Sequence, residues 1–160
     1  MSYVGRVVGK VIQAAEDLGL SIEVKTLDAP TRTVAEAAEA VGVDPAQIAK
    51  SIVFVADGEP VLCVASGAHR VDIDTLALAF DCAEVMQASP DKVRAATGFP
   101  VGGVPPFGHD LPVVFDELLC EQELIYAAGG DGNTLFATEP KTLARAIGAR
   151  IVSVGETAAS

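Results

Sequence analysis

The sequence has little of what several classes of protein require. It has no Trp, an aromatic share of only 5%, and three cysteines in an odd count without CxxC spacing, namely Cys63, Cys82 and Cys120. That pattern fits neither a disulfide framework nor a zinc site, so we expect no metal, no cofactor and a cytoplasmic location. We also expect no targeting signal at the ends, and no apolar run approaches the ~18 residues of a membrane helix.

Basic residues are scarce as well. The chain has 11 Lys and Arg against 22 Asp and Glu, which gives a formal net charge of −11. Proteins that grip a phosphate backbone usually present a basic face, because the affinity comes largely from counterion release by Lys and Arg. The composition therefore argues against DNA and against broad nucleic-acid binding. If RNA is a partner, its contact with this chain should be small and local.

What the chain does have is enough apolar sequence for one globular unit. Its 160 residues are 50% hydrophobic, and we expect a single domain over 1–160 with a core at about 20–154. Two capping boxes, Thr33–Glu36 and Asp44–Gln47, predict two short helices, the first ending at Gly42. Lys50 is then predicted at the end of the second helix, just before a strand at Ile52–Ala56.

The remaining pattern mixes helices and strands without a strict βαβ rhythm. Asp57-Gly58 predicts a hairpin turn, and Ser66–Arg70 predicts a polar break. The other predicted elements are helices at 4–18, 72–80, 90–96 and 140–147, and strands at 22–26, 61–65, 84–87, 113–115, 124–128, 134–137 and 151–154. This order predicts an α/β fold of the α+β type, in which helices surround a mixed, curled sheet.

A long Gly/Pro loop, Gly98–Pro112, is the most unusual feature. Glycines allow a ligand to approach the backbone and prolines restrict the loop's conformations, although a rigid crossover would have the same composition. Lys50 is the second candidate. Its ammonium either points into the sheet, where it can anchor a polar substrate group or a water, or snorkels outward from a helix end.

Other candidate motifs carry weaker signals. Gly129–Asn133 is typical of a hairpin turn, with close approach of a ligand as the alternative. His109, at the end of the Gly/Pro loop, is a candidate for substrate contact, whereas His69 is predicted to be a polar loop residue. Cys63 lies within an apolar strand pattern and is predicted to be buried and inert. The sequence contains no GxGxxG, P-loop or GxSxG motif.

Several segments together resemble the YbaK / prolyl-tRNA synthetase-associated editing family. The strongest are Gly102–His109, which reads GGVPPFGH, and Tyr126–Gly130, which reads YAAGG. The other matching segments, in the family's order, are Thr33–Ala38, Gln47–Phe54, Val61–Gly67 and Ala96–Gly98. The similarity spans roughly residues 20–152.

The resemblance implies a barrel-like mixed sheet and hydrolysis of the ester of a mischarged aminoacyl-tRNA, with a pocket for the terminal aminoacyl-adenosine. The family's key lysine falls on Lys50, and its GxxxP loop, which contacts the ribose through backbone groups, falls on Gly102–Pro106. The implied substrate-binding residues are Gly102, Gly103, Val104, Pro105, Pro106, Phe107, Gly108, His109, Ala128, Gly129 and Gly130. Candidates for a local basic rim are Arg32, His69, Arg70, Lys92 and Arg94.

The resemblance leaves the amino acid open. Cysteinyl-tRNA deacylases of this family tend to carry a Ser just before the Gly-Gly pair, where this chain has Ala128, and the His typical of alanyl-tRNA deacylases is absent. A small amino acid is favoured, with tRNA-Pro as one candidate carrier. The alternative is a non-catalytic module that binds aminoacyl-tRNA or a synthetase.

Overall fold

The computed structural model describes residues 3–157, with side chains from 5 to 155; the predicted domain limits at Met1 and Ser160 lie outside this range. The helices are α1 (Tyr3–Asp17), α2 (Val34–Val41), α3 (Ile73–Ala79), α4 (Pro90–Thr97), α5 (Glu117–Cys120) and α6 (Pro140–Ala146). The strands are β1 (Val24–Thr26), β2 (Ile48–Ala56), β3 (Glu59–Ser66), β4 (His69–Val71), β5 (Val85–Gln87), β6 (Val113–Asp116), β7 (Ile125–Ala128), β8 (Thr134–Thr138), β9 (Arg150–Val152) and β10 (Gly155–Thr157). Within residues 3–157, no helix is both long and apolar enough to cross a membrane.

Local capping explains the start and end of α2. The Thr33 side chain accepts a hydrogen bond from the Glu36 N–H at 3.1 Å, and Gly42 ends the helix with φ +72°. The Glu36 carboxylate accepts from the Arg32 N–H at 2.9 Å rather than from Thr33. The predicted capping box is therefore only half formed, although the helix it predicts is present.

The second predicted helix is wrong in type and length. Asp44 and Gln47 form the predicted capping box, but the segment makes only a 3₁₀ turn at Pro45–Gln47. β2 then begins at Ile48, so Lys50 lies inside a nine-residue strand and not at a helix end. The reason is tertiary: the backbone from Ile48 onward pairs with β3 and β7, and this pairing overrides the helical start signal.

The Asp57-Gly58 turn between β2 and β3 confirms the predicted hairpin. Both residues have positive φ, at 47° and 87°, as a two-residue hairpin turn requires. The predicted polar break at Ser66–Arg70 is only partly correct, because β4 begins at His69 and pairs with β10. The short α5 and the strand β10 were not predicted.

The strands form a mixed sheet of eight, in the order β1-β8-β7-β2-β3-β6-β9, with β5 also paired to β2. The pairs β2–β7, β3–β6 and β6–β9 are parallel and the others are antiparallel. Helices pack around this sheet, which confirms the predicted fold class.

β3 at the centre of the sheet is buried on both faces. Leu62 and Val64 point into the larger core cluster, with Val11 of α1 and Val93 of α4, while Cys63 points into a second cluster on the opposite face. A strand covered on both sides needs apolar residues at consecutive positions, which explains the unbroken apolar run of β3.

Candidate functional site

A cleft of about 280 Å³ opens beside β2. Its walls come from β2, from the segment that leads into α2, from α4 and from the Gly/Pro loop. The lining residues include Thr31, Arg32, Thr33, Val34, Lys50, Ser51, Val53, Gln87, Ala88, Val93, Val101, Gly102, Val104 and Ala128. More than half of these residues are small and apolar, and the polar ones are Thr31, Arg32, Thr33, Lys50, Ser51 and Gln87, so the cleft can enclose a small ligand and offers it polar groups at a few positions.

The cleft exists because the sheet splits along one edge of β2. On that edge, β2 pairs with β7 through Ile48 and Ala49, and with β5 through Phe54–Ala56. Between these pairings, a hydrogen bond from the Ala88 N–H to the Val53 carbonyl oxygen at 3.0 Å borders the gap. On this edge, the stretch of β2 between Ala49 and Val53 therefore borders the cleft instead of a neighbouring strand, while its other edge stays paired with β3.

Lys50 extends from this exposed stretch of β2. Its Nζ donates a hydrogen bond to the main-chain carbonyl oxygen of His69 at 2.9 Å. Partial burial lowers the pKa of Lys50 from its ordinary value, against the opposing effects of Cys63 and Asp116. A half-buried ammonium with one fixed partner is suited to attract a polar or anionic substrate group at the cleft.

Asp116 and His69 hold the carbonyl group that receives the Lys50 hydrogen bond. Asp116 is fully buried, and its Oδ2 lies 2.7 Å from His69 Nδ1. The same carboxylate accepts hydrogen bonds from the Ser66 N–H at 2.9 Å and the Leu118 N–H at 3.1 Å. His69 is thus not the polar loop residue that the sequence predicted, because it lies in β4 and its ring is fixed by a buried acid.

Ser51 follows Lys50 and points to the opposite face of β2. Among the side chains from 5 to 155, its Oγ is the buried nitrogen or oxygen atom without a hydrogen-bond partner. Such an atom costs about 1–3 kcal/mol if it stays unpaired, so a buried hydroxyl in a cleft indicates a place for a ligand or a water. No pattern in the sequence singles out Ser51, since a serine within a strand pattern is common.

The first half of the Gly/Pro loop contributes to the cleft. Gly102 and Val104 line it, and Gly102 has φ +86° with open space where a Cβ would be. Gly103 packs against the β7–β8 turn, where a Cβ on Gly103 would come within 2.6 Å of Asp131 Cα. The two glycine-rich segments are thus in close contact, as backbone against backbone.

Most of the β7–β8 turn packs against the rest of the protein and does not line the cleft. Ala128, at the end of β7, lines the cleft. A Cβ on Gly129 would meet Val24 and Thr134, and one on Gly130 would meet Val7, so both glycines are required for close packing. Gly129–Asn133 connects β7 to β8, which confirms the hairpin interpretation.

The second half of the loop turns away from the cleft. Phe107 is 3% exposed and its ring packs against Phe136 with centroids 5.6 Å apart. Pro106, Gly108 and His109 line a separate cavity of about 290 Å³ next to α1 and the end of α6. Burial lowers the pKa of His109, and its Nε2 lies 3.4 Å from the Pro105 carbonyl oxygen.

The structure thus brings together only some of the predicted site residues. Lys50, Gly102, Val104 and Ala128 line one cleft. The predicted residues that do not line it are Gly103, Pro105, Pro106, Phe107, Gly108, His109, Gly129 and Gly130. Their roles toward a substrate stay predictions.

Of the residues considered for a basic rim, Arg32 lines the cleft. Arg70, Lys92 and Arg94 are exposed but do not line it, and His69 is bound to Asp116. The positive charge that the described residues offer at the cleft comes from Arg32 and Lys50. Any contact with RNA phosphates at this cleft would be as local as the net charge predicts.

The residues that the structure describes offer neither a cysteine in the cleft lining nor a group of metal ligands. Cys63 is buried, as predicted. Burial raises the pKa of its thiol to about 12, which disfavours the nucleophilic thiolate. Among the residues that the structure describes, no group of three or more His, Cys, Asp or Glu side chains is placed to hold a metal ion.

The chain is similar to several known proteins. The model of the aminoacyl-tRNA editing domain matches residues 28–146. The uncharacterised protein YwhH of Bacillus subtilis (strain 168) is 35% identical over 124 residues, which cover 76% of this chain and 78% of that protein. A proline–tRNA ligase of Geobacter metallireducens is 31% identical over 114 residues, covering 71% of this chain but only 20% of the ligase.

Solved structures agree with these matches. A protein solved as a candidate trans-editing enzyme for prolyl-tRNA synthetase superposes with a TM-score of 0.89 at 38% identity, covering 98% of this chain and 99% of its own. A hypothetical protein superposes with a TM-score of 0.85 at 32% identity, over 92% of this chain and 99% of its own.

Proposed function

The chain belongs to the aminoacyl-tRNA editing domain family, and we propose that it is a free-standing deacylase that hydrolyses the ester of a mischarged tRNA carrying a small amino acid. The observation that carries the proposal is the half-buried Lys50 ammonium, held at the mouth of a small apolar cleft in a chain that matches this family. The similarity to a domain of proline–tRNA ligases and to a candidate trans-editing enzyme favours tRNA-Pro as the carrier.

The cleft suits an ester that is already activated. In the proposed reaction, water adds to the ester carbonyl carbon, the bond between this carbon and the ribose oxygen breaks, and the ribose hydroxyl and the free amino acid are released. Such a step needs positioning and stabilisation of the oxyanion more than it needs a protein nucleophile. Lys50 supplies positive charge, the backbone near Gly102 holds the terminal ribose, and the substrate itself assists the attacking water.

Recognition in this proposal is confined to the 3′ end. In this proposal the terminal adenosine and its aminoacyl group occupy the cleft, and Arg32, which lines the cleft, binds a backbone phosphate. A chain with a net charge of −11 repels an RNA surface elsewhere, so the rest of the tRNA contributes little unless a synthetase presents it.

The deciding experiment is deacylation of purified mischarged tRNAs, including alanyl-, seryl- and cysteinyl-tRNA-Pro, by the wild type and by Lys50→Ala. We expect cleavage of at least one small aminoacyl ester well above the spontaneous rate. Lys50→Ala should lose about 10²–10³-fold, the range for loss of one group that stabilises a developing oxyanion. Lys141→Ala, which removes an exposed lysine of α6 outside the cleft, is the matched control.

The alternative, a non-catalytic module, makes a different prediction. The wild type would then bind aminoacyl-tRNA or a synthetase and leave every ester intact. If no ester in the panel is cleaved, the deacylase proposal is lost. If Lys50→Ala cleaves as fast as the wild type, the activity stands but its assignment to Lys50 is wrong.

A further inference from the structure

Ser51 is unusual in having three polar groups that border the cleft, two on the backbone and one on the side chain. Along β2, the Gly67 N–H donates to the Ile48 carbonyl oxygen, so even-numbered residues direct their backbone groups toward β3. The Ala88 N–H donates to the Val53 carbonyl oxygen on the other edge, so odd-numbered residues face that edge. Ser51 lies between Ala49 and Val53, and its N–H and C=O therefore point into the split in the sheet.

Neither neighbouring strand reaches these groups. The parallel register of β2 with β7 ends at Ala49 opposite Ala127. On the other side, the antiparallel register of β5 pairs Phe54 with Gln87, and its continuation places Pro90 opposite Ser51. Proline has no N–H to donate to the Ser51 carbonyl oxygen. Pro90 is also the first residue of α4, whose carbonyl groups point along the helix axis rather than out to a strand. The Ser51 hydroxyl, which can donate and accept, also has no hydrogen-bond partner among the described residues. Ser51 therefore offers an open N–H, an open C=O and an open hydroxyl.

An α-aminoacyl ester carries the complementary set. Its ammonium is a donor and its ester carbonyl oxygen an acceptor, separated by one carbon, as the N–H and C=O of a strand residue are. A ligand with this pattern can form one rung of a β-ladder, as peptides do when they add to an open sheet edge. A sugar or a phosphate carries no such pattern. An adenine edge does, through its N6–H donor and a ring-nitrogen acceptor, but it lacks the charged ammonium that strengthens a hydrogen bond to a carbonyl oxygen. The open rung therefore favours the aminoacyl part of a substrate.

We propose that the split in the sheet is the aminoacyl subsite, in which the Ser51 N–H donates to the ester carbonyl oxygen and the Ser51 C=O accepts from the α-ammonium. The inference rests on the proposed function, because it assigns atoms to the same substrate. The Ser51 N–H then stabilises the oxyanion that forms when water adds, as a backbone donor of fixed geometry. Lys50 contributes charge from the opposite face of the same strand.

The same register makes Ser51 a specificity residue. Directly opposed residues in a ladder place their side chains on one face, so the substrate side chain lies beside the Ser51 hydroxyl. Around it are Ala49, Val53, Val93 and Val104, which leave room for a small group only. The hydroxyl favours a small side chain that can hydrogen-bond, and seryl esters should therefore be preferred over alanyl esters.

The test uses the wild-type chain and a stable probe. The probe is 3′-(L-serylamino)-3′-deoxyadenosine, in which an amide replaces the ester, and amide hydrogen exchange is followed by NMR. At a probe concentration ten times its Kd, the Ser51 N–H should exchange about tenfold more slowly, because the free fraction falls in proportion to 1 + [L]/Kd. The Thr26 N–H is the matched control, since it lies on the open edge of β1, away from the cleft.

Each outcome separates the inference from the proposed function. Protection of the Ser51 N–H by the probe but not by adenosine, together with shifts at Lys50 and Gly102, supports the inference. Equal protection by adenosine overturns it, because the adenine edge then pairs with Ser51. Shifts at Lys50 and Gly102 without protection at Ser51 overturn it and leave the deacylase proposal standing. Absence of any binding overturns the inference, and the deacylation panel then decides the function independently.

Substitution tests the hydroxyl separately. Ser51→Ala retains the backbone groups and removes only the Oγ, so the ratio of seryl to alanyl ester cleavage should fall about tenfold, as expected for one neutral hydrogen bond. Ser89→Ala, at the N-cap of α4 and outside the cleft lining, is the control for loss of a serine. An unchanged ratio in Ser51→Ala overturns the role in specificity.

Discussion

The two halves of the Gly/Pro loop have the same kind of composition and opposite surroundings. Val101 is 62% exposed and Gly102 borders open space at the cleft, whereas Phe107 is 3% exposed and packs against Phe136. The first half presents backbone to whatever enters the cleft, and the second half attaches the loop to the core and to α1. A glycine- and proline-rich segment can thus be a ligand surface and an anchor within a few residues.

The largest expected effect on stability comes from a substitution in the second half of the loop, which attaches the loop to the core. Phe107→Ala removes a buried ring from the main core, and the free energy of unfolding should fall by about 3–5 kcal/mol, as for other buried aromatic truncations. Urea denaturation measures the loss. If stability is retained while ester cleavage disappears, Phe107 contacts the substrate, as the resemblance implies, and the contrast between the two halves is wrong.

Gly103, between the two halves, should be more sensitive than Gly102. A Cβ on Gly103 would meet the backbone of Gly130 and Asp131, at 2.7 and 2.6 Å, and backbone cannot move aside cheaply. Gly103→Ala should therefore cost about 2–3 kcal/mol. Gly102→Ala adds a methyl into open space and should cost about 1 kcal/mol, from its positive φ alone. Equal costs in urea denaturation would show that the loop and the β7–β8 turn separate freely.

On the cleft side, Asp116→Asn should shift the pH profile of ester cleavage. Its carboxylate raises the pKa of Lys50, which burial lowers. Loss of the Asp116 charge lowers the pKa of Lys50 further. Lys50 then loses its proton, and the protein its activity, at a lower pH. The alkaline limb, measured above spontaneous hydrolysis, should move down by about half a unit to one unit. Glu117→Gln, which neutralises the adjacent exposed acid, should leave the limb in place.

The smallest expected effect is the pH dependence of stability that comes from His109, in the second half of the loop. Its folded pKa is lowered by burial, so the unfolded chain binds the proton more readily. The free energy of unfolding should therefore fall as the pH drops from about 7 to about 5, and His109→Gln should flatten this slope. Denaturation at a series of pH values measures both. A slope that is the same in the two proteins would place the titration elsewhere.

Local signals in the sequence account for much of the fold. The Thr33 cap, the Asp57-Gly58 turn and the αL glycines at 42 and 98 each act within a few residues, and each is present in the structure. The start of β2 was mispredicted for the converse reason. The capping box at Asp44–Gln47 is real, but pairing with β3 and β7 determines where the strand begins.

The site was harder to predict because its contacts are distant in sequence. His69 and Asp116 are separated by 47 residues, and neither belongs to a motif. Ser51 becomes distinctive only when the register of three strands shows that its backbone groups face a gap. The resemblance could identify Lys50, but it could not divide the Gly/Pro loop into a half at the cleft and a half in the core.

The bond that holds Lys50 has a consequence for how this protein can change during evolution. Its acceptor is a main-chain oxygen, which residue 69 provides whatever its side chain is. The His69 side chain matters instead to Asp116, which it partners at 2.7 Å. Residues 69 and 116 should therefore vary together, as a histidine with an acid or as a neutral pair of similar volume, while Lys50 stays constant. A library that randomises both positions at once should return such coupled pairs among its active members.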